Sequence, residues 1–244
     1  MNIIEVKNLS KSYGDRLILD KINLDIREGE IFGLLGRNGV GKSTLIECIL
    51  NTRESEYDKL EVLGLDIVKD RKELFEQVGV QFQGSNYQEK IKVREVCKLY
   101  SSFYKNVVNY EELLIDFGLN HLIESYVNDL SGGERQRLSI VLALIPKPKL
   151  VFLDELTTGL DPQSRREVWS YLMKLKAQGL TIFLTSHYMD EVEKLCNRVA
   201  ILKDRKIVAL GSVEEIINSC DIQNKIMEEA YLWYINGGVL DEII

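Results

Sequence analysis

Apolar and polar positions alternate in short runs over residues 3–35, a pattern typical of β-strands separated by turns. Polar turn clusters lie at residues 11–15 and 27–30, and residues 31–35 are almost wholly apolar, which predicts a strand buried on both faces. A glycine-rich stretch follows this strand, and residues 45–50 then have the character of a first helix. The beginning of the chain is therefore predicted to be a set of strands that leads into a strand–loop–helix unit.

The rest of the chain alternates between strand and helix patterns, with one helical block in the middle. Strand signals are absent from about residue 84 to residue 148, and the prolines at 146 and 148 end this block. Helices are expected at residues 71–77, 93–104, 110–117, 119–126, 135–145, 165–177, 188–195 and 213–218. Strands are expected at residues 60–63, 78–83, 150–153, 181–185, 199–202 and 207–210. The pattern predicts an α/β core with an inserted helical subdomain.

Composition and charge exclude several classes of protein. The chain has 244 residues, of which 45% are hydrophobic, and a formal net charge of −7, which argues against a general nucleic-acid-coating role. The four cysteines are scattered, so a disulfide framework or a zinc site is not expected. The longest apolar stretch, near residues 140–145, is far shorter than the ~20 residues of a membrane-spanning helix.

The glycine-rich stretch after the buried strand fits the pattern G-x-x-x-x-G-K-[ST] of a phosphate-binding loop. Its glycines let backbone N–H groups point inward, and the start of the following helix favours negative charge. Lysine in this pattern can reach the β- and γ-phosphates, and serine can place its hydroxyl on Mg²⁺. The candidate residues are Gly36, Arg37, Asn38, Gly39, Val40, Gly41, Lys42, Ser43 and Thr44.

Two acids follow the second buried strand. The carboxylate of Asp154 could help to bind Mg²⁺ by accepting a hydrogen bond from a metal-bound water beside Ser43. Glu155 could orient or deprotonate an attacking water. The alternative is that both carboxylates are simply solvated at a strand end.

Further candidates lie at other strand ends and turns. Gln83 follows a predicted strand, where an amide can contact Mg²⁺ or water or can satisfy backbone groups. His187 follows another strand and can donate to a γ-phosphate oxygen, or it can simply begin a helix. Tyr13 lies in a predicted turn, where its ring could stack on adenine or pack locally.

A second glycine-rich helix start, at Ser131, Gly132 and Gly133, is a second phosphate-binding candidate. Either one chain binds two nucleotides, or this helix start completes a nucleotide site on another copy of the chain.

Taken together, these motifs resemble the ATP-binding cassette (ABC) family over almost the full chain. Residues 36–44 resemble its Walker A loop, Gln83 its Q-loop glutamine, and residues 130–134 (LSGGE) its signature motif. Residues 150–154 resemble Walker B, with Glu155 in the place of the catalytic glutamate. Residues 159–161 resemble the D-loop, His187 the switch histidine, and Tyr13 the adenine-stacking aromatic.

The resemblance implies a P-loop NTPase (RecA-like) core with an antiparallel β-subdomain and an inserted helical subdomain. It implies an ABC ATPase domain over residues 1–220, with the core and β-subdomain at 1–84 and 149–220, the helical subdomain at 85–148, and a short extension at 221–244. It implies ATP hydrolysis with Mg²⁺, for which Ser43, Gln83 and Asp154 are the metal residues. Two ATP molecules would lie between two such domains, and Ser131, Gly132 and Gly133 of one domain would face the ATP held by the other. Asp161 would transmit conformational changes between the two domains.

As partners, the resemblance implies a separate integral-membrane permease and either a homodimer or a second ABC ATPase chain, with no nucleic acid. It places the chain on the cytoplasmic face of a membrane. Residues 185–193 (TSHYMDEVE) and 227–232 (MEEAYL) resemble the branch of exporters with a separate ATPase chain. A cassette ATPase acting on ribosomes or DNA is the alternative. A P-loop kinase or GTPase would leave residues 130–134 and His187 unexplained.

Two features depart from the family pattern or extend beyond it. Leu156 stands where the family usually has proline after the catalytic glutamate, so the backbone there lacks the ring constraint. The last segment carries Tyr231, Trp233 and Tyr234. It is either a helix packed on its own core or a contact with another subunit.

Overall fold

The computed structural model describes residues 1–82 and 87–238. The strands are β1 Asn2–Tyr13, β2 Arg16–Arg27, β3 Ile31–Leu35, β4 Lys59–Val62, β5 Leu65–Asp66, β6 Val78–Gln81, β7 Leu150–Leu153, β8 Thr181–Ser186, β9 Arg198–Lys203 and β10 Lys206–Ser212. The helices are α1 Lys42–Ile49, α2 Arg71–Phe75, α3 Val93–Ser102, α4 Tyr110–Asp116, α5 Gly132–Leu144, α6 Pro162–Ala177, α7 Met189–Leu195, α8 Val213–Asn218 and α9 Met227–Ile235. The predicted α/β class, with an antiparallel sheet and a mixed sheet, is confirmed.

The chain forms two compact units, and the first contains residues 1–71 and 183–244. One of its sheets is antiparallel, with strand order β2-β1-β4-β5, and its other strands follow the order β10-β9-β3-β8. Strand β3 is buried at all five positions and pairs in parallel with β9, which explains its continuous apolar run. This unit positions the glycine-rich loop, because the loop begins where the buried strand β3 ends.

The second unit contains residues 72–182. Strands β6 and β7 pair in parallel, with Gln81 opposite Leu153 at their carboxyl ends. Helix α5 lies against β6, and helices α3 and α4 contact α5. This unit carries the two acids after β7 and the second glycine-rich helix start. The domain boundaries expected from the family resemblance stay a prediction.

Three sequence-based expectations about local structure were wrong. Residues 119–126 do not form a helix; they contain a 3-10 turn at Asn120–Leu122, and a second one follows at Val127–Asp129. The carbonyls of Ile123 and Ser125 accept from the N–H groups of Arg94 and Val93 at the start of α3, so they are used by a neighbouring segment. Helix α5 begins at Gly132 rather than at residue 135. Tyr13 ends strand β1 instead of lying in a turn.

Helix α9 packs on the first unit's own core. Met227 and Ala230 are fully buried in a cluster that includes Val192 and Ile216. Lys203 Nζ also donates to the carbonyl oxygen of Tyr234, at 3.3 Å. Of the two interpretations of the last segment, a helix packed on its own core therefore describes α9.

The close approach of helix α5 to strand β6 leaves no room for a side chain at position 79, so this residue must be glycine. A Cβ at this position would lie 2.0 Å from the carbonyl oxygen of Ala143, which is backbone and cannot rotate away. We expect Gly79→Ala to destabilise the chain by about 3 kcal/mol, because the helix and the strand must separate. The midpoint of thermal unfolding should fall by roughly 10 °C.

Gly132→Ala is the matched control for this substitution. A Cβ at Gly132 meets nothing within 4 Å, so its unfolding midpoint should not fall. Equal midpoints for the two variants would contradict the close approach of α5 to β6.

Candidate functional site

The glycine-rich loop holds a lysine ammonium against its own carbonyl groups. Lys42 is only 6% exposed, and its Nζ donates to the carbonyl oxygens of Gly36 at 2.8 Å and Arg37 at 3.3 Å. A buried ammonium is costly unless it is hydrogen-bonded, so these carbonyls stabilise it at the start of α1. The positive charge is thus fixed beside the backbone N–H groups of a helix start, an arrangement that binds phosphate.

Two glycines give this loop its curvature. Gly39 and Gly41 have φ values of 77° and 113°, in the left-handed region that other residues rarely adopt. A Cβ at Gly36 would lie 2.7 Å from the carbonyl oxygen of Leu202, so this position also excludes a side chain. Arg37, Asn38, Gly39 and Ser43 are exposed, which leaves the outer face of the loop open to a ligand.

Tyr13 is partly exposed and lies near two cations. Lys11 Nζ is 5.0 Å from the centroid of its ring, and Arg53 Cζ is 5.7 Å from it. These distances are typical of cation–π contacts, and the Arg53 guanidinium also pairs with the carboxylate of Glu47.

His187 follows β8, the neighbour of β3 in the first unit. Its side chain is exposed, and its ring centroid lies 4.2 Å from that of Tyr188. Helix α7 begins two residues later, at Met189, so His187 lies in the connection between strand and helix. The strand-end position expected from the sequence is confirmed.

Asp154 and Glu155 have different surroundings in the second unit. Asp154 is 3% exposed, and its backbone carbonyl accepts from Nε2 of the buried Gln81 at 3.2 Å. Glu155 is half-buried and has a φ of 52°, unusual for a residue with a side chain. Its Oε2 lies 3.4 Å from Oγ1 of Thr158, which donates to it. Asp154 is therefore buried, whereas Glu155 is half-buried and its carboxylate contacts Thr158.

The sequence alone did not single out Gln81 or Gln136, which contact this strand end. Gln136 Nε2 donates to the carbonyl oxygens of Glu155 at 3.2 Å and Leu156 at 2.9 Å. The position of Gln81 near the end of a predicted strand, beside the candidate Gln83, was the only signal for it in the sequence. Nothing in the sequence indicated where Gln136 points. The candidate Gln83 lies outside the described residues.

The second glycine-rich helix start has a complete capping box. Ser131 Oγ accepts from the N–H of Glu134 at 3.3 Å, and Glu134 Oε2 accepts from the N–H of Ser131 at 2.8 Å. The hydrogen bond from the Ser131 backbone holds the pKa of Glu134 below its ordinary value. The spacing S-x-x-E in the sequence was the available signal for this helix start.

The turn at residues 159–161 lies against Gly133 of this helix start, and its last residue, Asp161, immediately precedes helix α6. A Cβ at Gly133 would lie 3.4 Å from Leu160 Cδ2 and 3.5 Å from the carbonyl oxygen of Gly159. Asp161 Oδ1 accepts from the N–H groups of Gln163 and Ser164, both at 3.0 Å, as the N-cap of α6. The hydrogen bond from the Ser164 side chain lowers the pKa of Asp161. The structure thus brings the second helix start next to the 159–161 turn.

Comparison with known proteins identifies the family. The sequence profile of the family described as "ABC transporter" matches residues 19–158, which is more than half of the chain. The chain belongs to the ABC transporter family. It is an ATPase domain of that family, and its activity is the binding and hydrolysis of ATP.

Relatives of this ABC ATPase serve transporters of both directions. It is 35% identical over 223 residues to the Nod factor export ATP-binding protein I of Rhizobium etli, covering 89% of this chain and 71% of that protein. It is 34% identical over 225 residues to the methionine import ATP-binding protein MetN of Clostridium tetani, covering 88% of this chain and 70% of that protein. A solved structure described as the ATP binding subunit of an ABC transporter matches with a TM-score of 0.87 and 26% identity, over 95% of this chain and 99% of that one.

Two properties of the described part of this ABC ATPase bear on membrane and metal binding. Over residues 1–82 and 87–238, no helix is both long and apolar enough to cross a membrane. Within the same ranges, no group of three or more His, Cys, Asp and Glu side chains could hold a metal ion.

Proposed function

We propose that this ABC ATPase powers a separate membrane permease, and that two copies, or this chain and a second ABC ATPase, close on ATP. The observation that carries the proposal is that one chain contains two glycine-rich helix starts, each of a kind that can bind phosphate. One is the loop with the buried Lys42 ammonium, and the other is the capped helix start at Ser131. The first would hold the triphosphate, and Ser131, Gly132 and Gly133 of the other subunit would complete the site.

The remaining nucleotide contacts are proposed from the same elements. The exposed loop residues, together with Val40 and Thr44, would surround the phosphates, and Tyr13 would stack on the adenine. The Lys11 ammonium beside the Tyr13 ring supports this, because a cation there favours a polyanionic nucleotide.

The metal proposed is Mg²⁺, which would supply charge stabilisation at the phosphates. The available donors fit this ion, because it prefers hard oxygen ligands and uses one or two carboxylates together with substrate phosphates. The Ser43 hydroxyl and the Asp154 carboxylate would serve it, with Gln83 as the third residue.

Hydrolysis is assigned to two side chains. Glu155 would orient the attacking water and accept its proton, because its carboxylate is half-buried and held by Thr158. His187 would donate to the γ-phosphate from the end of β8. Asp161, whose carboxylate fixes the start of α6 next to the second helix start, would transmit closure between the subunits.

Export is the proposed direction of transport. Residues 185–193 and 227–232 support it through their resemblance to the exporter branch, as does the relative named for Nod factor export. The relative named for methionine import has nearly the same identity and represents the competing direction. The subunit would act as a peripheral protein on the cytoplasmic face of the membrane.

The permease would dock on the helical segment that contains α3 and α4. Large apolar side chains of this segment are exposed in the second unit, namely Leu99, Phe103, Val107 and Ile115. We expect the chain to co-purify from membranes with a protein that spans the membrane several times. Phe103→Asp combined with Ile115→Asp should reduce the recovered permease about tenfold, since each change places a charge in an apolar contact.

Val208→Asp is the matched control, because Val208 is equally apolar and 41% exposed but lies in β10 of the first unit. Its permease recovery should equal that of the unsubstituted chain. Recovery of ribosomes or DNA without a membrane protein would favour the alternative cassette ATPase that acts on them.

A further inference from the structure

Glu155 has a backbone conformation that needs support from its surroundings. Its φ of 52° lies in the left-handed region, which costs free energy for any residue with a Cβ. Such a conformation persists only when neighbouring groups hold it. The residue that follows is Leu156, which lacks the ring constraint that a proline would give.

The support comes from helix α5. The side-chain amide of Gln136 donates to the carbonyl oxygens of both Glu155 and Leu156, at 3.2 and 2.9 Å. The N–H of Thr158 also donates to the carbonyl oxygen of Glu155, at 3.2 Å, which closes the turn. One side chain therefore fixes two successive peptide groups at the residue with the unusual φ.

Gln136 belongs to the same helix as the second glycine-rich helix start. It lies in the second turn of α5, whose capping box is formed by Ser131 and Glu134. The backbone carbonyl oxygen of Gln136 accepts a hydrogen bond from Oγ of Ser139, at 2.7 Å. A displacement of the helix start would therefore move the amide that holds Glu155.

We propose that Gln136 is a positioning residue for hydrolysis, which holds the Glu155 carboxylate in place and ties it to the helix start at Ser131. The inference rests on the proposed function, in which Glu155 orients the attacking water. The side-chain amide of Gln136 contacts backbone carbonyl oxygens, so its proposed action is through the backbone of Glu155.

The test compares two substitutions at Gln136 in the full-length chain. Gln136→Glu keeps the shape but removes the donor, and Gln136→Leu removes all polar contact. Both should lower kcat for ATP about tenfold or more, as expected from the loss of two hydrogen bonds. The KM for MgATP should stay within about twofold, because the phosphate loop lies in the other unit. Gln178→Leu, the same kind of substitution at an exposed position of the same unit, is the control and should keep the full kcat.

A double substitution separates positioning from an independent effect. In the Glu155→Gln background, adding Gln136→Leu should change the remaining rate by less than about twofold, because the group through which it acts has already been removed. A further tenfold fall would overturn the proposal. If Glu155→Gln alone left the rate unchanged, the proposed function of Glu155 would fail instead, so the two failures are distinguishable.

Hydrogen exchange gives a measurement that does not depend on turnover. Loss of the Gln136 amide should speed the exchange of the Thr158 N–H, which donates to the same carbonyl oxygen of Glu155. Exchange in α9 should be unchanged in the same samples. Unchanged exchange at Thr158 in a folded Gln136→Leu chain would show that the clamp does not hold this turn and would overturn the proposal.

Discussion

Glu155→Gln should slow ATP hydrolysis about a thousandfold while leaving ATP binding intact. Glutamine has nearly the same size and can still accept from Thr158 Oγ1, which lies 3.4 Å from the carboxylate. It cannot accept the proton of the attacking water, so only the chemical step is affected. Single-turnover kinetics with radiolabelled ATP and a nucleotide-binding titration measure the two quantities separately.

The same variant should accumulate as an ATP-bound dimer, because ATP that is not hydrolysed keeps the two subunits together. Size-exclusion chromatography with and without MgATP reports this state. Adding Ser131→Arg should dissolve the dimer without loss of ATP binding, because the large side chain would fill the helix start that we propose faces the nucleotide of the other subunit. Normal turnover in Glu155→Gln would remove this residue from its proposed role, and hydrolysis by an obligate monomer would refute the shared site.

Lys42→Ala should weaken ATP binding about a hundredfold or more. The ammonium is 6% exposed, and a charge-assisted hydrogen bond to phosphate contributes about 1.5–3 kcal/mol, so its loss has a large effect in this setting. The carbonyls of Gly36 and Arg37 also lose their donor, which loosens the loop. Calorimetric titration with MgATP measures the change in affinity.

Lys69→Ala is the control for net charge, since Lys69 is exposed and lies away from the loop in the sequence. Its ATP affinity should match that of the unsubstituted chain. Equal affinity for Lys42→Ala would show that the 36–44 loop is not the triphosphate site.

The local motifs could be predicted well because each depends on a few adjacent residues. The loop at 36–44 needs a strand before it and a helix after it, and β3 and α1 have those positions. The buried strand before Asp154 was also predicted correctly, because a short run of apolar residues between polar turns is typical of a strand buried on both faces. The family, the α/β class and the ATPase activity that these motifs indicate are confirmed.

Helix boundaries were predicted less well because neighbouring segments compete for the same backbone groups. Residues 119–126 have a helical pattern, but their carbonyls at Ile123 and Ser125 are taken by the start of α3. Helix α5 starts earlier than expected, because the capping box of Ser131 and Glu134 compensates for two glycines of low helix propensity. The first error needed the tertiary structure, whereas the second had a signal in the sequence.

The sequence by itself determined which groups can bind phosphate, accept a proton or take an oxygen-seeking metal, because those abilities belong to the side chains and their spacing. Only the tertiary structure decided how the groups are held. The left-handed backbone of Glu155, the burial of Lys42 and the clamp of Gln136 on residues 155 and 156 depend on where the folded backbone places donor and acceptor groups. Hydrogen bonds of this kind form only when the packing of helices and strands brings donor and acceptor within about 3 Å of each other.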